Sequence, residues 1–173
     1  LVARLAKGKR FCFDTETTSV DANRAELVGM SFCMNRGEAY YVPVPSDQEK
    51  AQAIVSEFKA VLEDEKIGKI AQNLKYDALV LKWYGVAVQG PYLDTMITHY
   101  LLEPELRHGM DYLAETYLGY KPISITSLIG KKGKNQLTMR DVPVEKVTEY
   151  AAEDADITLQ LNDFLMPKME SEG

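Results

Sequence analysis

At 173 residues the chain suits one domain of ordinary size and leaves no room for a second full one. Its 46% apolar and 27% charged residues supply a core and exclude disorder. The formal net charge of −6, from 26 acidic against 20 basic side chains, argues against a protein that coats nucleic acid by charge alone. An enzyme that meets nucleic acid through a metal stays open. In chain order, residues 10–16, 26–34 and 38–44 read as strands, with the turn Asn35-Arg36-Gly37 and the closing Pro43 and Pro45 suggesting an antiparallel meander. Residues 47–64 then switch to a helical period, with Ala51, Ile54, Val55, Phe58, Val61 and Leu62 on one stripe. A short buried strand follows at 67–71, and Asn73 is placed to cap a helix over 74–84. Brief extended pieces at 86–88 and 92–94 precede helices at 95–102 and 110–118, a Lys- and Gly-rich loop at 130–135, and a long helix at 144–165. This order predicts an α/β fold: a mixed sheet, meander plus parallel strands, flanked by helices. Cys12 and Cys33 read as buried free thiols of a reducing compartment, and no run is long and apolar enough to span a bilayer. With Leu1 in place of an initiating methionine, the chain reads as a single domain over 1–173 cut from a longer polypeptide.

Carboxylates carry the chemistry. Asp14 and Glu16 lie two apart on the first strand, so they share a face with Cα atoms about 7 Å apart and can close on one hard cation. On the last helix, at about 100° per residue, Val147, Tyr150, Ala151, Ile157, Thr158, Leu161 and Leu165 fall on the side of Asp154. Glu149, Glu153, Asp156 and Gln160 fall opposite, toward water. Asp154 therefore projects from a buried stripe and needs a partner, either a cation or a metal. Tyr150 lies one turn earlier on the same face, and Ala151 leaves room for a close approach. Asp77 sits in the first turn of its helix on the face of Leu74, Ala78 and Leu81. Three segments thus offer inward carboxylates with no matching inward cation. Oxygen-only ligands suit Mg²⁺ or Mn²⁺ rather than zinc, and four carboxylates suit a pair of ions acting on a phosphodiester.

Phe13-Asp14-Thr15-Glu16-Thr17, Gln72-Asn73-Leu74-Lys75-Tyr76-Asp77 and Tyr150-Ala151-Ala152-Glu153-Asp154-Ala155-Asp156 together resemble the 3′–5′ proofreading exonuclease domain of bacterial family A DNA polymerases, in its order and spacing. Leu27-Val28-Gly29 and Gly133-Lys134-Asn135-Gln136-Leu137-Thr138 extend the resemblance over nearly the whole chain. It implies a ribonuclease-H-like exonuclease fold of the tyrosine subclass. By this resemblance Asp14, Glu16 and Asp154 hold a first divalent ion, Asp14 bridges to a second, Asp77 binds that one partly through water, and Tyr150 with Glu16 orients the attacking water. Thr15, Val20, Asn73 and Tyr76 match substrate-contacting positions, and near Ile125 an expected aromatic wedge is replaced by aliphatic and hydroxyl residues. Lys131, Lys132, Lys134 and Arg140 either contact phosphates or solvate a loop, while His99 and His108 read as structural. The implied partners are the single-stranded 3′ end of DNA and a polymerase domain of the same parent chain, with no membrane, a monomeric state and the bacterial cytoplasm as compartment. The rivals are an RNA-trimming exonuclease of the same superfamily and a silent strand-binding domain.

Overall fold

The computed structural model describes residues 1–172. A short helix α1 (Val2–Leu5) leads into β1 (Arg10–Thr17), β2 (Leu27–Asn35) and β3 (Glu38–Pro43), which form the predicted meander. Helix α2 (Gln48–Leu62) is capped by the Asp47 carboxylate, which accepts from the Lys50 N–H at 3.0 Å. Strand β4 (Gly68–Ala71), helix α3 (Leu74–Trp83) and β5 (Tyr92–Asp94) follow, then α4 (Thr95–Leu102), α5 (Met110–Leu113), α6 (Ile125–Ile129) and α7 (Val144–Glu172). The sheet order is β3-β2-β1-β4-β5, with β1 parallel to β4 and β4 parallel to β5.

Two apolar layers cover this sheet. Phe11, Phe13, Met30 and Phe32 pack toward α2 and α3 with Val55, Phe58, Val80 and Leu81. Cys12, Cys33 and Ile70 face α7, where they meet Ala155 and Leu159. Burial of both faces explains why β2 is apolar nearly throughout instead of alternating.

Four local expectations are corrected. Residues 86–88 join no strand; Val86 and Val88 are buried, the Val86 N–H donates to the Leu81 carbonyl at 3.1 Å, and the Val88 carbonyl accepts from the Tyr92 hydroxyl at 2.7 Å. The helix expected over 110–118 changes at Ala114 into a π-turn that Gly119 ends at φ 63°. The last helix runs on past Leu165, through Pro167, to Glu172. Asn73 occupies the cap position of α3, but its side chain makes no capping bond. Among the described residues no helix is long and apolar enough to cross a membrane.

Candidate active site

Strand alternation sorts the first motif. Phe11 and Phe13 enter one core while Cys12 enters the other, so Asp14 and Glu16 point with Cys12 toward α7. On α7, Ala151 and Ala155 are fully buried and carry no bulk that would hold the helix away from the sheet. Asp154 lies between them. Asp14, Glu16 and Asp154 each bring a carboxylate oxygen into one group whose atoms all lie within 4.8 Å of one another. That span is slightly wider than the about 4.2 Å across an octahedral Mg²⁺ shell. Glu16 and Asp154 are each 6% exposed, and Glu16 Oε1 and Asp154 Oδ1 find no hydrogen-bond partner. Buried acceptors without donors in an all-oxygen set fit a hard divalent cation.

The electrostatics agree. Burial pushes the Asp14 carboxyl up to about 7. Burial also raises Glu16 and Asp154 well above the ordinary carboxylate range, and the charge of Asp14 raises both further. The Tyr150 hydroxyl draws Asp154 the other way. Tyr150 itself is raised, by burial first and then by Asp154, so it stays a neutral hydroxyl at any working pH. A crowd of carboxyls that holds protons this tightly has no internal counter-charge.

Asp77 stands beside this group rather than in it. Its Oδ1 accepts from the Thr15 N–H at 3.1 Å and the Thr15 hydroxyl at 2.6 Å. Burial, then the charge of Asp14, raises its carboxyl. What aims Asp77 is a turn that the sequence did not reveal. Asn73 is left-handed at φ 63° and ψ 47°. The Asp94 carboxylate accepts from the N–H groups of Asn73 (3.1 Å) and Leu74 (2.8 Å), and also from Met96 (3.0 Å) and Ile97 (3.3 Å). One buried aspartate therefore caps both α3 and α4. From α3, the Tyr76 hydroxyl bonds Thr17 Oγ1 at 2.6 Å and donates to the Ser19 carbonyl.

The carboxylates open into a cleft of about 570 Å³. Thr15, Val20, Asn73 and Tyr76 all line it, as do Asp77 and Tyr150. Its mouth carries exposed apolar side chains: Val20 is 97% exposed, and Ile125 and Leu137 stand out with it. The segment Gln136 to Met139 also forms part of the wall. Sequence reasoning gave that wall no role, although the Gly133-to-Thr138 run was its signal.

Other polar residues sort differently. Lys131, Lys132 and Lys134 are exposed and do not line the cleft. Arg140 is no loop cation: its guanidinium donates to the carbonyls of Leu27 (2.6 Å) and Val44. Glu153 and Asp156 do not simply face water. Glu153 accepts from the Tyr120 hydroxyl and the Ile123 N–H (2.7 Å), and Asp156 from the Gly37 N–H (2.7 Å). His99 is buried away from the cleft, its Nδ1 2.7 Å from His108 Nδ1 and its Nε2 2.8 Å from the Tyr117 hydroxyl.

Comparison with known proteins agrees with this geometry. A family model described as 3′–5′ exonuclease matches residues 1–170. DNA polymerase I of Pseudomonas aeruginosa is 41% identical over 97% of this chain, and that of Rhizobium leguminosarum 40% identical over 93%. The chain spans only 19% and 18% of those proteins, about a fifth of each. Among solved structures, Brucella melitensis NrnC superposes with a TM-score of 0.76 at 25% identity, covering 96% of this chain and 76% of that one. Escherichia coli RNase D gives 0.74 at 22% identity over 99% of this chain and 42% of its own, which bears out the ribonuclease-H-like exonuclease fold.

Proposed function

This chain belongs to the 3′–5′ exonuclease domain family of DNA polymerase I, and from that premise we propose that it removes deoxynucleoside 5′-monophosphates, one at a time, from single-stranded or frayed DNA 3′ ends. The observation that carries the reading is the group of Asp14, Glu16 and Asp154 with two buried acceptors left without donors. Asp14, Glu16 and Asp154 would hold one divalent ion, Mg²⁺ or Mn²⁺. Asp77, whose Thr15 bonds leave it one oxygen not engaged there, would hold a second ion together with Asp14. Such ions supply Lewis acidity and lower the pKa of water, for in-line attack at phosphorus.

The chain's own residues do the rest. Tyr150 stays protonated beside Asp154, so its hydroxyl, together with the Glu16 carboxylate, would orient the attacking water. Thr15, Asn73 and Tyr76 line the floor where the terminal nucleotide lies. Val20, Ile125 and Leu137 give bases an aliphatic surface in place of an aromatic stack. Aliphatic contact holds a strand more weakly than stacking, which is worth about 1–3 kcal/mol per base. Strand affinity in the parent protein then rests on its polymerase region.

The test is digestion of 5′-labelled single-stranded DNA with Mg²⁺ or Mn²⁺, beside Asp14→Ala and EDTA controls. A ladder shortening from the 3′ end in wild type alone is the expected result; an intact strand with no metal binding overturns the reading. A second reading, trimming of short RNA, draws on the likeness to RNase D and to NrnC, of which one structure holds pGG. Matched DNA and RNA oligonucleotides separate the two.

A further inference from the structure

One buried polar group near the site is engaged by no other side chain or backbone group of the described residues. Ser31 is 0% exposed, and its Oγ finds no hydrogen-bond partner among the described residues. It lies on β2, directly opposite Asp14 on β1 and opposite Tyr41 on β3. Paired residues of antiparallel strands put their side chains on the same face, with Cβ atoms about 4.5–5.5 Å apart. Ser31 therefore faces α7 from the same cross-strand row as Asp14. The next row holds Glu16 opposite Gly29. A Cβ at Gly29 would overlap the Tyr41 ring and hydroxyl, so this glycine admits Tyr41 across β2 to the edge of the carboxylate group. There the Tyr41 hydroxyl donates to the Val28 carbonyl at 3.2 Å. That is the part played by the Leu27-Val28-Gly29 run.

Ser31 Oγ, Glu16 Oε1 and Asp154 Oδ1 are thus three partnerless buried oxygens between the sheet and α7, and the only hydroxyl donor among them is the serine. We propose that Ser31 is a positioning residue for Asp14: its hydroxyl donates to the Asp14 carboxylate once that carboxylate turns to a divalent ion, fixing which oxygen faces the metal. The inference rests on the metal-site reading above. A ligand's outer hydrogen bond orients it, and losing one typically costs about 10–100-fold in metal affinity or activity. Tyr41, already bonded to Val28, walls the row and leaves Ser31 as its free donor.

The roles separate because no protein group among the described residues satisfies the hydroxyl. Removing a partnerless buried hydroxyl, which Ser31→Ala replaces by hydrogen, leaves stability unchanged or improves it. The experiment compares wild type, Ser31→Ala and Asp14→Asn by Mn²⁺ titration calorimetry and by EDTA-treated melting, then by single-turnover cleavage of labelled DNA. Ser31→Ala is expected to melt no lower than wild type without metal, to bind Mn²⁺ about 10-fold more weakly, and to lose rate at saturating DNA without a change in KM. Equal Mn²⁺ affinity in Ser31→Ala and wild type overturns the proposal. A lower metal-free melting temperature that accounts for the whole loss overturns it too, since the serine would then be structural. Failure of wild type itself to bind Mn²⁺ defeats the metal-site reading instead, and is told apart by that arm.

Discussion

Removing one charge from the carboxylate group should stabilise the metal-free domain. Burial lifts Asp14 from an ordinary 3.8 to about 7, and the charge of Asp14 in turn raises Glu16, Asp77 and Asp154. The folded state therefore binds these protons more tightly than the unfolded chain does. Stability from this source is complete below about pH 4 and is lost as pH rises through about 7. At about 1.4 kcal/mol per tenfold change in proton affinity, ionising Asp14 alone costs on the order of 4 kcal/mol. For a domain of this size that is roughly 10 °C of melting temperature. In EDTA, wild type should melt progressively lower from pH 5 to pH 8. Asp14→Asn should flatten that slope and melt several degrees above wild type at pH 8. Millimolar Mn²⁺ should restore wild type at pH 8 and leave Asp14→Asn nearly unmoved. Scanning calorimetry across this range is the assay. Equal slopes in the two proteins, or a wild-type midpoint independent of pH, would refute the electrostatic reasoning.

Further outcomes follow from single contacts. Tyr150→Phe should keep the fold and slow single-turnover cleavage about 100-fold, the usual scale for a group that handles the proton or its water; an unchanged rate removes Tyr150 from the mechanism. Gly29→Ala should destabilise by about 1–3 kcal/mol through overlap with Tyr41, and adding Tyr41→Ala should give a total below the sum of the two single changes in urea melts. Asp94→Ala leaves four N–H groups of two helices without their acceptor and should cost at least about 3 kcal/mol, whereas Asp94→Asn should cost less. Joint replacement of Lys131, Lys132 and Lys134 by Ala should leave the metal-dependent melting shift intact, and any loss of strand affinity should appear as a shallower salt dependence.

Period and chemistry together made most of the carboxylate group legible in the sequence. Alternation puts Asp14 and Glu16 on one strand face, and the helical stripe turns Asp154 inward; neither depends on distant partners. Asp77 was visible as an inward carboxylate, but its engagement by Thr15 was not, because that contact joins residues 62 apart. Asn73 looked like an N-cap because Asn caps helices; the true cap, Asp94, comes from β5 and serves a second helix as well. Arg140, Glu153 and Asp156 misled for a related reason. Charge on a surface stripe reads as solvated unless a backbone segment from elsewhere arrives to use it, and here Leu27, Gly37, Val44 and Ile123 do. The aliphatic cleft mouth was readable as a departure near Ile125, while the contribution of Leu137 depends on how its loop folds back.

The carboxylate group joins the first strand to the last helix, so Asp14 and Asp154 meet only when a loop of about 140 residues closes. Until α7 docks, Asp14, Glu16 and Asp77 can come together on β1 and α3, but Asp154 and Tyr150 are missing from the site. On the proposed reading, a growing or locally unfolded chain would therefore lack Asp154 from the carboxylate group until the fold is complete. Because the carboxylates repel one another, a divalent ion held among them would also favour that last docking step and act as a late folding partner.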